Sequence, residues 1–268
     1  MLRNFSLPLT QHKERSKKHV EKGSEFLNSV KSFDFEQFSN LTTHTEAPEI
    51  LIAGEDPREK ETSFGPSGSI VDGACIVYAT RYVMLKYGLK RDILDLAKEA
   101  VEKGYRSWRF ANYTKPIFYT EKVEIDEVKE AFADIAEVED CQTVEELTQI
   151  LGEVLPIGGS AFFMDNVICD YLAKTQITPV EDTRITTVEK LIENLKNGIM
   201  VPMRVNNSIY HNDPNRKGGH NIVLLEVNCG EAIVADSSMG INKLPIERLL
   251  AAAVENPNLI AVWDLSKI

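Results

Sequence analysis

Four cysteines, Cys75, Cys141, Cys169 and Cys229, are spread over the chain's 268 residues with no C-x-x-C spacing. That is too few for a disulfide framework and the wrong spacing for a zinc ribbon or a dithiol redox pair. Histidine is also sparse, with five residues and no H-E-x-x-H pattern, so the sequence carries no zinc-ligand motif and no motif for another cofactor. No apolar run approaches the roughly 18 residues of a membrane helix, and Met1 to Thr10 lack the continuous apolar core of a secretory leader. Basic charge is in deficit: 30 Lys and Arg stand against 41 Asp and Glu, a net charge of -11. That balance argues against nucleic acid or an anionic membrane as the main partner. The expectation is a globular protein of the cytoplasm, or one exported by a route that leaves no leader.

With 43% apolar residues the chain has enough material for a core, in one large domain or one domain with an appendage. Residues 1–49 are polar and charge-mixed, with a basic run from Lys13 to Lys22 and a possible amphipathic helix before Phe33, Phe35 and Phe38. They read as an N-terminal arm with little apolar surface, dispensable for folding up to about residue 45, and packed as a solvated helix or used to bind a partner. The main domain then spans residues 50–268.

From Ile76 onward, Val77, Ala79, Thr80, Val83, Met84 and Tyr87 recur at helical spacing, and Gly88 is placed to end the helix in a left-handed conformation. Cys75 falls in its first turn, near the third helical position if Asp72 is the cap. There the unpaired N–H groups and the helix dipole favour a thiolate, whereas a capping Asp72 would oppose one. Further helices are expected at 93–101, 126–136, 143–155 (opened by the capping box Thr143-Val144-Glu145-Glu146), 162–175 and 187–197, the last stopped by Gly198. Between the first two lies an aromatic stretch, Tyr105, Trp108, Phe110 and Tyr113, that either lines a cleft or packs over a core edge. Strands are expected at 199–205, 220–227, 231–236 and 259–263. Helices first and strands later predict an α+β domain with an antiparallel sheet.

His220 opens one strand and Asp236 ends the next. A three-residue loop at Asn228–Gly230, with Gly230 left-handed, would pair Val227 with Glu231 and set Ile222 opposite Asp236. His220 and Asp236 would then share a face as diagonal neighbours, about 7–8 Å apart at the backbone. A two-residue loop would put them on opposite faces. The first arrangement lets Asp236 fix the tautomer of His220 while the other ring nitrogen faces a thiol.

A cysteine at a helix start, then a histidine at a strand start, then an aspartate sixteen residues on resembles the papain-like cysteine peptidases. The likeness is closest to the bacteriocin-leader-processing branch, through the Cys75 to Gly88 spacing and the Leu191–Pro202 and Gly218–Val227 segments, and covers residues 65 to 250. The resemblance implies a papain-like α+β fold, with N-terminal helices packed against a C-terminal antiparallel sheet. It also implies a Cys75-His220-Asp236 triad acting on peptide or amide bonds of a peptide or protein substrate through a thioester. The same triad could serve a glutamine deamidase or an acyltransferase. Where such families carry an oxyanion-stabilising glutamine this chain has Ser69, with no Gln or Asn from Glu61 to Ala74, and Ile76 stands in place of a glycine. Ser69, in the glycine-rich loop, and Gly219, before the histidine, are the expected oxyanion and substrate-binding positions. Loss of one oxyanion donor costs about 10²–10³ in rate, so the alternative is an inactive papain-like binding protein.

Overall fold

The computed structural model describes residues 9–49, 52–61, 70–97, 129, 136–143, 184–216, 218–255, 260 and 262–266. Its centre is an antiparallel sheet of four strands in sequential order: β1 (Val201–Asn206), β2 (Gly219–Asn228), β3 (Glu231–Asp236) and β4 (Gly240–Pro245). The first three match the expected strands to within two residues at either end. β4 was not foreseen, because the two apolar residues of Ile241-Asn242-Lys243-Leu244 stand three apart, off the two-residue period of a strand. The expected strand at 259–263 reduces, among the described residues, to single bridges of Val262 with Met203 and of Trp263 with Arg184.

The sheet is buried on both faces, and alternation along β2 separates two cores. Val223 and Leu225, with Ala235 of β3, face α4 (Cys75–Lys86), as do Ile93, Leu96 and Ala97 of the next helical segment. Ile222, Leu224 and Val227, with Ala232 and Val234, face the opposite core. That core is built from α1 (Leu9–Ser32), α5 (Val188–Lys196) and α7 (Ile246–Val254). Short helices α2 (Pro57–Glu61), α3 (Ile70–Gly73) and α6 (Asn207–His211) complete the described elements used below. The architecture is α+β, and none of the described helices is long and apolar enough to cross a membrane.

Two helix ends form as their sequences require. At α4 the N–H of Leu89 bonds Met84 O at 2.9 Å and that of Gly88 bonds Leu85 O at 3.0 Å, with Gly88 at φ 73°. α5 ends the same way at Gly198, φ 69°, and begins with the Thr187 hydroxyl accepting from Lys190 N. In both, a left-handed glycine lets the chain turn back and satisfy carbonyls that the helix leaves unpaired. The expected helices at 126–136, 143–155 and 162–175 lie almost wholly outside the described residues, as does the aromatic stretch from Tyr105 to Tyr113.

The start of α4 differs from expectation. Its cap is Ala74, which makes no side-chain bond, and Cys75 is the first helical residue rather than the third. Asp72 belongs to α3, which runs into α4 through Ala74, so the cap position of the cysteine helix falls two residues after it. The cysteine is therefore closer to the helix end than expected, where no intrahelical carbonyl meets its N–H.

The hairpin corrects a second expectation. Asn228 pairs with Glu231, leaving a two-residue turn of Cys229 and Gly230 with φ of 48° and 84°. That is the doubly left-handed turn that suits strand twist, here with cysteine in a place usually held by Asn or Gly. A two-residue turn alone would separate His220 from Asp236. A β-bulge between Leu224 and Glu226 adds one residue to β2, after which Leu224 pairs with Val234 and Val223 with Ala235. The offset beyond the bulge is the one that sets Ile222 level with Asp236.

The N-terminal segment also departs from the reading of a polar arm with little apolar surface. Phe26 and Phe38 are fully buried and Val30 nearly so, all in the α5 and α7 core. Downstream, Thr43 N bonds Val227 O and Val227 N bonds the Thr43 hydroxyl, both at 2.9 Å, while the Thr45 hydroxyl donates to Leu225 O at 2.6 Å. Val227 keeps Ala232 opposite it on β3, and Thr43 takes its other edge beyond the point where β1 pairing ends at Leu224, while Thr45 meets the carbonyl of the bulged residue Leu225.

Candidate active site

Three elements converge on the end of the sheet where β2 begins and β3 ends. α4 brings Cys75, partly exposed, over the sheet end. β2 carries His220 in the same alternation set as Ile222 and Leu224, on the face shared with Tyr210. Asp236 closes β3 on that face, 1% exposed. His220 Nε2 lies 3.0 Å from Asp236 Oδ1, and the same carboxylate oxygen accepts from Ser238 N and Ser238 Oγ, each at 2.7 Å. The His220 ring also lies close enough to Cys75 for each to act on the other's charge. With Nε2 held by Asp236, Nδ1 is the ring nitrogen left for the thiol.

The charges in this cluster reinforce one another. Burial alone would raise the Cys75 thiol, but the hydrogen bond and charge of His220, helped by Asn221, bring it down to about 7. Burial alone would lower His220, but its bonds to Asp236 and Cys75 raise it to about 10. Asp236 is held well below the usual carboxylate range, because His220 and Ser238 outweigh its burial. A thiolate–imidazolium pair is therefore favoured over the neutral pair between those two values. The arrangement can present a nucleophilic sulfur with an oriented proton donor and acceptor beside it.

Of the expected site residues, Cys75, His220 and Asp236 come together. Gly219 is exposed at the first position of β2, beneath the guanidinium of Arg204; a Cβ there would sit 2.7 Å from its nearest nitrogen. Ser69 lies outside the described residues.

Four further residues shape the site. Asn221, 3% exposed, falls in the alternation set of Val223 and Leu225 and donates through Nδ2 to Cys75 Sγ at 3.2 Å. The adjacent Arg204 is level with Asn221 in β1, and the charge of Cys75 opposes the lowering that burial imposes on the guanidinium. Tyr210 of α6 sets its hydroxyl toward Asp236 and accepts from Asn242 Nδ2 at 3.3 Å; burial first, then the charge of Asp236, raises its phenol. Ser238 clamps the carboxylate as described. Two of these had a sequence signal. Asn221 follows His220 directly, so strand alternation sends it to the face of the cysteine helix. Arg204 is the one charged residue in the apolar run 199–205. Tyr210 lies in the five-residue helix α6 and Ser238 in the turn after β3, and neither position carries a sequence period that would reveal it.

His211 adds a third titratable ring. One ligand atom each from His211, His220 and Asp236 lie within 4.8 Å of one another, close enough to hold a metal ion after a small closure. Against that use, His211 Nε2 is 2.9 Å from Arg216 Nη1, whose charge opposes a cation, and His220 Nε2 is committed to Asp236. Comparison of the chain with protein-family models, with curated proteins and with solved structures found no match.

Proposed function

We propose that this chain is a cysteine-dependent amide-bond enzyme of papain-like design, most simply a peptidase. One observation carries the reading: beside a partly exposed cysteine at a helix N-terminus stands a histidine whose Nε2 is held at 3.0 Å by a buried aspartate. The cysteine helix packed on an antiparallel sheet that carries the other two residues is the arrangement a papain-like fold requires. In the reaction, the Cys75 thiolate attacks the carbonyl carbon and a C–S bond forms as the carbonyl π pair moves to oxygen. Collapse breaks the C–N bond, and the leaving amine takes the proton of the His220 imidazolium. His220, now neutral, removes a proton from water as it attacks the thioester, and the carboxylic acid leaves with the thiolate restored. Asp236 orients the ring and stabilises its charged form throughout.

Alkylation with iodoacetamide tests the reading. Cys75 should label with an inflection near pH 7, below the roughly 8.5 of a free thiol, and ahead of the buried Cys141 and the exposed Cys229. His220→Ala should return Cys75 to the profile of an ordinary cysteine. Slow labelling of Cys75 with an ordinary pH profile in the folded protein would end the enzyme hypothesis. Fast labelling without cleavage of any peptide library would move the assignment to glutamine deamidation or acyl transfer.

A further inference from the structure

Resting on that reading, we infer that Asn221 supplies the side-chain donor of the oxyanion site, in place of the glutamine the cysteine loop lacks. Attack of Sγ on a carbonyl carbon places the new oxyanion two bonds from sulfur. A donor that already touches Sγ is therefore a small shift from the oxygen. Asn221 Nδ2 is such a donor, at 3.2 Å from Sγ. The side chain is 3% exposed, so it is held in place and shielded from water, which is where a fixed dipole is worth most. The orientation of the amide follows from chemistry, since Oδ1 is acceptor-only and would repel a thiolate. Oδ1 is itself buried with no hydrogen-bond partner among the described residues, so no competing bond there draws the amide away from the sulfur. Cys75 contributes its own N–H, which as the first of the helix has no intrahelical partner. Arg204, level with Asn221 across β1, adds positive potential on the same side.

A bland role is also open to Asn221, which lowers the Cys75 thiol and could act only through ionisation. Two small reagents separate the roles without knowledge of the natural substrate. Iodoacetamide alkylates the thiolate by displacement at carbon and forms no oxyanion. 4-Nitrophenyl acetate acylates it through a tetrahedral adduct that does, then expels nitrophenolate, which needs no proton. Both are measured at pH 9, where the thiolate predominates in wild type and in a variant with a modestly raised pKa. Asn221→Ala should slow acylation at Cys75 by at least about tenfold, a share of the 10²–10³ that one oxyanion donor supplies. Alkylation should change by less than about threefold, the effect of a one-unit pKa change on thiolate nucleophilicity. Should that variant fail to fold, Asn221→Leu, of matching volume, carries the same comparison. Equal losses with both reagents, or loss with neither, would overturn the proposal. So would a wild-type Cys75 that alkylates fast but is not acylated. A wild-type Cys75 that reacts with neither faster than an ordinary cysteine would instead defeat the enzyme reading itself.

Discussion

Asp236 holds the site together at the scale of single residues. Its Oδ1 takes bonds from His220 and from both donors of Ser238, and this concentration of partners lets a nearly inaccessible carboxylate stay charged. The consequence for pH can be given a sign. The thiolate forms as pH rises through about 7, and the imidazolium is lost as pH rises through about 10, so the ion pair occupies the interval between. Asp236→Asn keeps the shape but removes the charge that favours the imidazolium. The upper limit should fall, and with a weaker imidazolium beside it the Cys75 thiol should rise, so the window narrows from both sides. Alkylation of Cys75 against pH reads the lower limb, and turnover of an amide substrate, whose leaving amine takes the imidazolium proton, reads the upper. Limbs that stay where they are in the variant would show that Asp236 does not set the charge of His220. The pairing of this aspartate with this histidine was expected from a three-residue turn that does not form, and the bulge in β2 supplies the register instead. The help from Asn221 was not legible in the sequence, because its contact with Cys75 spans 146 residues and depends on where α4 crosses the sheet.

Within β2, one extra residue decides whether His220 and Asp236 meet. The turn at Cys229-Gly230 has the wrong length for the site, and the bulge at Leu225 restores the offset. A bulge leaves backbone groups without ladder partners, and such groups are costly when buried. Thr45 meets that need at Leu225 from the N-terminal segment. Replacing Thr45 by Val removes the donor to Leu225 O while keeping the volume. It should cost about 1–3 kcal/mol, the range for an orphaned buried acceptor. Urea unfolding should show a lower midpoint with unchanged slope, and Cys75 labelling should slow toward the ordinary rate if the bulge relaxes. Thr42→Val, altering an exposed hydroxyl that meets only the hairpin turn, serves as the control and should change neither. A Thr45→Val protein of wild-type stability would mean the bulge is held by β2 and β3 alone. The hairpin itself was visible in the sequence as two apolar runs around Asn228-Cys229-Gly230. The bulge was not, since Leu225 continues the apolar run without a break.

Across the whole molecule, the sheet is wrapped on both faces, and the first described helix supplies part of one wrapping. Phe38 sits fully buried between the 3₁₀ turn that carries it and the core of α5 and α7, with Phe33 and Phe35 rings against it at 5.2 and 6.1 Å. Phe38→Ala should destabilise by about 3–5 kcal/mol, the usual cost of emptying a large aromatic site. A chain beginning near Glu49 would lose Phe26, Val30 and Phe38 together with Thr43 and Thr45, and should not give a cooperative unfolding transition by denaturant titration. A truncated protein as stable as the full chain would restore the idea of a dispensable arm. By itself the sequence determined the cysteine helix and its glycine stop, β1 to β3, the mixed α+β class, and the order of cysteine, histidine and aspartate. Those features rest on local periodicity, capping and turn chemistry, which act over a few residues. Only the tertiary structure decided that Cys75 stands first in its helix, that a bulge sets the register, that Thr45 bonds the bulged residue, and that Asn221 and Arg204 lie beside the thiol. Each of these depends on which distant backbone groups are left unpaired once the sheet has formed. The long-range packing that then satisfies them joins residues as far apart as the 180 positions between Thr45 and Leu225.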